Sequence, residues 1–515
     1  MRIVTDRWRR LLVAGACAAA AVRFGGARPA STAGACENLS ALTIPDVHVT
    51  SATAVSAGPL GAGPGTLTVP AMCRVQAVAT PTADSRIAIE VWMPPAQSWN
   101  GRLLGTDNGG FSGAIGYPAM AAAVARGYAA VGTDTGHAGD QMDFGIGHPE
   151  KITDWAYRAV HVMTDVAKIV IRSHQGRLPE RSYFSGCSTG GQQALSEAQR
   201  YPSDYDGIVA GDPGNDRLNL IYGFLWSWLA THDDRGQAIL PSSKLPALAA
   251  ASVAACDATD GLRDGIIDDP RACHFDPASM ACKGEDGPGC LMPREVEAVT
   301  KVYDGAKNPR TGTQIFPGWA RGSEQGWGTY ITNPREPVRV GLFRGWAFHD
   351  PGWDPRSFDW DRDVAFVNAA LPSVNALSTD LSAFKSRGGK LLMYTGLADP
   401  VVPPQAVIDY YDRVTTTMGG RARTESFFRF FPVPGMAHCR GGVGPTTFDA
   451  LGTLEKWVEH GEVPRSILAT HTTGQQVDRS RPLCAYPQKA RYKGTGSVDT
   501  AASFVCVEPG NRPHP

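Results

Sequence analysis

An excess of charge of either sign is missing from this chain. Lys+Arg number 49 against Asp+Glu 50 over 515 residues, a formal net charge of −1. With no basic surplus, nothing favours nucleic acid or an anionic membrane surface as a partner. A membrane-spanning run is missing as well. Residues 11–22 are apolar but too short to cross a bilayer comfortably, and no later segment has the length and apolarity of a membrane helix. No CxxC pair or Cys/His cluster has zinc-ligand spacing, which argues against a structural zinc module. Internal repeats and long low-complexity tracts are absent. The 58 glycines and 38 prolines are those of a loop-rich protein, not of a coiled coil or helical repeat.

What is present begins with an export signature. Arg2, Arg7, Arg9 and Arg10 form a basic start, residues 11–22 an apolar stretch, and residues 30–35 a small-residue region where a signal peptidase cuts. Residues 1–35 therefore read as a signal peptide, and Arg9-Arg10 before Leu11-Leu12 weakly resembles a twin-arginine signal. A secreted or periplasmic location follows. Of the 11 cysteines, Cys17 falls in this leader, and the ten that remain are an even number in an exported chain, which argues for disulfides. Counting alone chooses no connectivity.

The mature chain is long enough for several domains, or for one large domain carrying an insertion. Strand-like and helix-like segments alternate from residue 85 onward: strands at 85–93, ending at Leu103-Leu104, at 129–133, at 181–186 and at 205–210, with helices at 154–173 and 192–201. The alternation lapses over residues 215–380, rich in Trp, Pro and Gly, and resumes with strands at 390–395 and 426–433 and helices at 404–415 and 447–459. This is the pattern of a mostly parallel α/β sheet with crossover helices. The expected division is a core of 36–214 and 381–515 with 215–380 inserted, its position suiting a lid.

Three residues carry the chemistry. Gly186-Cys187-Ser188-Thr189-Gly190 fits the G-x-S-x-G nucleophile elbow, following one strand and opening one helix. Asp399, in Gly396-Leu397-Ala398-Asp399-Pro400, and His438, in Pro434-Gly435-Met436-Ala437-His438, each follow a strand, and the order Ser, Asp, His is that of the α/β-hydrolase fold. The expected roles are nucleophile for Ser188, proton carrier for His438 and orienting acid for Asp399. The backbone N–H of Thr189 is the expected first oxyanion donor. The second comes from Asn108-Gly109-Gly110, with Gly110 preferred and Gly109 close behind. A non-catalytic binding module on this fold and a peptidase are the rival readings.

The chain at this point resembles the tannase and feruloyl esterase family over nearly all its mature length. The resemblance rests on Gly-Cys-Ser-Thr-Gly-Gly at 186–191, His438-Cys439, Tyr205-Asp206-Gly207-Ile208-Val209-Ala210-Gly211, and Phe348-His349-Asp350-Pro351-Gly352-Trp353-Asp354. Asp212 departs from the small uncharged residue the resemblance leads one to expect. The resemblance implies five disulfides: Cys187–Cys439, Cys36–Cys73, Cys256–Cys273, Cys282–Cys290 and Cys484–Cys506. It implies a structural Ca²⁺ in the inserted region, held by the carboxylates of Asp257, Asp260 and Asp264 and the carbonyls of Leu262 and Ile266, hard oxygen ligands that suit this ion. It also implies a small aromatic ester as substrate. Feruloyl esters lead, with Thr189 as a weak pointer; galloyl esters and mono(2-hydroxyethyl) terephthalate stay open. Trp226, Trp228, Trp319, Trp327, Trp346, Trp353 and Trp360 offer rings for stacking or for a core. Arg344 reads chiefly as half of an ion pair, with a substrate anion as its other use.

Overall fold

The computed structural model describes residues 35–61 and 66–509. The leader read from the sequence lies outside them except for Ala35. A nine-stranded mixed sheet organises the chain. Its strands are β1 (Val47–Val55), β2 (Met72–Ala79), β3 (Ile87–Met93), β4 (Arg102–Thr106), β5 (Ala129–Thr133), β6 (Arg181–Cys187), β7 (Gly207–Gly211), β8 (Lys390–Gly396) and β9 (Phe428–Val433). They lie in the order β1-β2-β3-β5-β4-β6-β7-β8-β9. The first four pair antiparallel, and from β5 through β9 every pairing is parallel.

Helices cover both faces of the sheet. They are α1 (Tyr117–Ala125), α2 (Ala159–Gln175), α3 (Thr189–Arg200), α4 (Arg217–Thr231), α5 (Pro404–Thr417) and α6 (Ala450–His460). Ile87, Ile89 and Val91 of β3 pack with Val160, Met163, Ala167 and Val170 of α2, and Trp92 turns to the other face to join Met120 of α1 and Leu454 and Trp457 of α6. All five residues of β5 and of β7 are buried, as expected of parallel strands covered on two sides.

The parallel strands direct their C-terminal ends to one edge, where the loops carrying Ser188, Asp399 and His438 begin. Between β7 and its sheet neighbour β8 runs the long stretch that breaks the sequence alternation. It holds α4, helices Leu245–Cys256 and Pro293–Asp304, a short hairpin of Ala306–Lys307 with Gln314–Phe316, and many single turns. Most of its aromatic side chains form core. Trp319 and Trp327 are fully buried, Trp228 nearly so, and Phe343, Trp346 and Phe358 cluster with Leu218, Tyr222 and Leu225 of α4. Among the described residues no helix is long and apolar enough to cross a membrane.

Candidate active site

Ser188 stands between β6 and α3 with φ 64° and ψ −117°. A positive φ at a non-glycine residue is costly and is held only where the surroundings enforce it. Here they do. The Ser188 N–H donates to the Gly211 carbonyl at 2.9 Å. A Cβ at Gly186 would meet the Gly190 carbonyl oxygen at 2.6 Å, and one at Gly190 would strike the Asp107 side chain, so both glycines of the elbow are sterically required.

His438 Nε2 lies 2.8 Å from Ser188 Oγ, and His438 Nδ1 lies 2.7 Å from Asp399 Oδ2. The other oxygen of Asp399 accepts from the N–H groups of Val401 and Val402 at 2.7 and 3.0 Å, and the carboxylate is fully buried. Burial pulls the His438 pKa down, but the charge and hydrogen bond of Asp399 and the charge of Asp212 outweigh it, so the net shift is upward. The arrangement favours the protonated imidazole.

Cys187 and Cys439, each adjoining one of these residues, are disulfide-bonded with Cα atoms 5.9 Å apart. The structure also pairs Cys36 with Cys73, Cys256 with Cys273, Cys282 with Cys290, and Cys484 with Cys506.

The loop after β4 is fastened to α3. Asn108 and Gln193 exchange hydrogen bonds, each 3.3 Å, and Asn108 Nδ2 donates to the Ala114 and Thr133 carbonyls. Thr189 Oγ1 donates to the Gly110 carbonyl at 2.8 Å, so the Thr189 and Gly110 segments are held side by side. Thr189 opens α3, and its N–H has no intrahelical acceptor. Gly110 has φ 58°.

Four charged residues at this edge were not singled out for a role by the sequence reading. Asp212, expected from its departure to alter the pocket, is fully buried and accepts from the Gly396 and Cys439 amides. Its carboxylate and that of Asp399 come within 4.8 Å of a His438 nitrogen. Asp107 accepts from the Cys187 N–H at 2.8 Å, and burial raises it to about 6. Arg217 and Arg339 both approach the ring of Phe111. Such residues leave a faint trace in sequence, since each is an ordinary charged residue beside a strand end or helix start. Arg344 pairs with Glu336 at 2.8 Å and donates to the Trp353 carbonyl, so its guanidinium is committed within the inserted stretch. Of the tryptophans of the inserted stretch, Trp346 lies edge-on to Phe111 and Trp155.

The acidic loop carries Asp257, Asp260 and Asp264, and among the described residues their carboxylate oxygens are not all drawn within 4.8 Å of one another. Asp257 Oδ1 accepts from the N–H groups of Asp264, Gly265 and Ile266, and Asp260 Oδ1 from that of Leu262, so one oxygen of each shapes the loop. Asp264 Oδ2 is paired with Arg481 at 2.6 Å. Burial, with repulsion from Asp264 and Asp257, raises Asp260. Asp268, absent from the sequence-based ligand set, is raised to about 7 by burial and by Asp260, Asp269 and Asp264, with Lys489 opposing.

The profile of the family "Tannase and feruloyl esterase" matches residues 73–507. An uncharacterized esterase of Xanthomonas campestris pv. campestris is 37% identical, covering 93% of this chain and 92% of its own. The mono(2-hydroxyethyl) terephthalate hydrolase of Piscinibacter sakaiensis is 35% identical, covering 81% and 80%. Among solved structures, feruloyl esterase B from Aspergillus oryzae superposes with a TM-score of 0.85 at 30% identity, over 92% of this chain and 99% of that one.

Proposed function

The chain belongs to the tannase and feruloyl esterase family and is a carboxylic ester hydrolase; from that premise we propose that Ser188 is its acylated nucleophile. The observation that carries this reading is the unbroken hydrogen-bonded series Ser188–His438–Asp399, closed by distances of 2.8 and 2.7 Å. His438 Nε2 takes the Ser188 proton as Oγ bonds to the ester carbonyl carbon, and returns it to the departing alkoxide as the C–O bond breaks. Asp399 keeps the imidazole in the tautomer that accepts at Nε2. The oxyanion is received by the N–H groups of Thr189 and Gly110. Water, deprotonated by His438, then hydrolyses the acyl-enzyme.

The proposed substrate is a small aromatic acyl ester, with feruloyl esters first and galloyl esters or mono(2-hydroxyethyl) terephthalate as sister possibilities. Support comes from the relatives named for ferulate and terephthalate esters, whose acyl groups are all planar rings. The wider arrangement is read as an α/β-hydrolase core, 36–214 and 381–515, carrying residues 215–380 as a lid. Ca²⁺ belongs, in this reading, to Asp257, Asp260, Asp264 and the carbonyls of Leu262 and Ile266, where it holds the lid in shape and takes no part in the hydrolysis. Export to a secreted or periplasmic location accords with the five disulfides.

A phosphonate inhibitor followed by peptide mass spectrometry is expected to label Ser188, and Ser188→Ala to lower kcat by about 10⁶-fold. Label elsewhere, with the variant active, would overturn the assignment. The ratio kcat/KM over methyl ferulate, methyl gallate, mono(2-hydroxyethyl) terephthalate and an aliphatic ester of matched leaving group orders the substrates. A preference for the aliphatic acyl group would defeat the aromatic reading.

A further inference from the structure

Arg217 opens α4 directly behind the nucleophile elbow, and its side chain is almost fully buried. Its Nε donates to Gln192 Oε1 at 2.8 Å and its terminal nitrogen to Thr189 Oγ1 at 2.8 Å. Gln192 is held in turn by the Val374 carbonyl. The guanidinium lies 5.8 Å from the ring centres of both Phe111 and Trp155, which stack on each other. Among the described residues no carboxylate forms an ion pair with it. Asp216, its neighbour in sequence, is turned to Asn219.

Three physical penalties meet on this one side chain. A buried charge without a counter-charge is expensive. A cation at a helix N-terminus opposes the helix dipole. Arg339, on the same aromatic ring, repels it; burial and that repulsion pull Arg217 down to about 9, and it is still protonated at neutral pH. A core position that needed only volume would be filled more stably by leucine. The expense is repaid only where a negative charge arrives.

The hydrogen bonds say where. Arg217 donates to Thr189 Oγ1, and Thr189 Oγ1 donates to the Gly110 carbonyl, a relay that locks together the two segments whose amides receive the oxyanion. We propose that Arg217 is a positioning residue for the oxyanion site: through Thr189 it fixes both donor segments, and its charge is balanced only when the tetrahedral oxyanion forms. The proposal rests on the assignment of Ser188, Thr189 and Gly110 above. It assigns Arg217 to the transition state and not to the ground-state acyl group. Interactions realised only in the transition state raise kcat without tightening substrate binding.

The test compares Arg217→Leu, Arg217→Lys, Thr189→Val and Ser188→Ala on one aryl ester, with thermal midpoints for each. Arg217→Leu is expected to lower kcat about tenfold or more with KM within about twofold, while the thermal midpoint stays level or rises because the unpaired charge is gone. Arg217→Lys should recover part of kcat, since the charge returns without the fork. Thr189→Val should lower kcat comparably, and combining it with Arg217→Leu should add little, as members of one relay are not additive. Unchanged kcat in Arg217→Leu would overturn the proposal. So would a raised KM at constant kcat, which would move Arg217 to substrate binding, or a kcat loss that tracks a falling midpoint. An inactive Ser188→Ala beside a fully active Arg217→Leu refutes the relay alone; activity in both refutes the nucleophile as well.

Discussion

The amide of Cys439 donates a 2.8 Å hydrogen bond to Oδ2 of Asp212, tying the residue after the base to the strand beside the nucleophile. Oδ1 of the same carboxylate accepts from the Gly396 N–H at 2.6 Å and the Thr395 hydroxyl at 3.1 Å, just ahead of Asp399. One side chain thereby spans the ends of β7 and β8 and the loop after β9. It is a brace between the segments that carry Asp399 and His438.

Removing the brace should therefore loosen both loops. Asp212→Ala leaves two buried amides without an acceptor, each worth about 1–3 kcal/mol, and kcat is expected to fall about 10- to 100-fold from misalignment. Asp212→Asn tests the charge. The groups acting on His438 are Asp399 and Asp212, which raise its pKa, and burial and Arg217, which lower it. Asp212, itself raised to about 7, carries part of its charge where His438 titrates, so neutralising it moves the acid limb of the kcat/KM profile down by less than the loss of a full charge would. A limb that stays in place while kcat drops would leave Asp212 a purely geometric role.

The Cys187–Cys439 bridge closes a separation of 252 residues. Chain entropy assigns so long a loop roughly 5 kcal/mol as an upper figure. A Cys187→Ser/Cys439→Ser variant is expected to unfold at markedly lower urea concentration and to lose activity under conditions where it is still folded, because elbow and base loop lose their covalent register. Full activity in that folded variant would show that Asp212 alone suffices.

Calcium should act on stability and not on the chemical step. A ligand that binds only the folded state stabilises it by mass action. Chelation is expected to lower the thermal midpoint, re-addition of Ca²⁺ to restore it, and Asp260→Ala to abolish the response while leaving kcat of the folded enzyme near wild type. Purified protein free of calcium, with a midpoint indifferent to chelator, would count against the site.

Stability should fall as pH rises from about 5 to 8. Burial raises Asp107 and Asp134 to about 6, and burial together with Asp399 raises Asp212 to about 7, from an ordinary 3.8. Between their unfolded and folded values the native state holds protons that the unfolded chain has released, so each rise in pH favours unfolding. His438 works in the same direction, its contribution complete below its ordinary 6.5 and lost as pH rises through the higher folded value, whereas His137 and His232, which burial holds below 6.5, oppose it near that pH and are outweighed by the carboxylates. Urea midpoints measured at pH 5 and pH 8 check the sign; a higher midpoint at pH 8 would contradict it.

The α/β alternation is legible in the residues wherever burial is two-sided or strictly periodic. The expected strand at 129–133 coincides with Ala129–Thr133, all buried, and the helix at 154–173 corresponds to α2 preceded by a wide turn at Asp154–Arg158. Of the antiparallel start, the reading found β3 at 85–93 but not β1 or β2, although burial along β2 alternates. Along β1 only Val49 is buried, so almost no apolar period is written there. The same contrast holds at the site. Ser188, Asp399 and His438 sit in short motifs whose neighbours announce a turn, whereas Arg217 follows an Asp and opens an apolar helix, which reads as a solvated N-terminus. Its burial comes from Phe111 and Trp155, far away in the chain. Asp212 likewise owes its role to amides at 396 and 439 that no local pattern connects to it.

The order of the bridges along the chain has a consequence for biosynthesis. Cys36–Cys73, Cys256–Cys273, Cys282–Cys290 and Cys484–Cys506 each join consecutive cysteines of the mature sequence, and Cys187–Cys439 encloses two of them. A chain oxidised strictly in the order of its thiols would pair Cys187 with Cys256, Cys273 with Cys282 and Cys290 with Cys439. Of the native set, only Cys36–Cys73 and Cys484–Cys506 form in that order; the three bridges between residues 187 and 439 need delayed oxidation of Cys187 or thiol exchange. If exchange is the route taken, yield of active protein is expected to follow disulfide-isomerase supply more closely than oxidant supply.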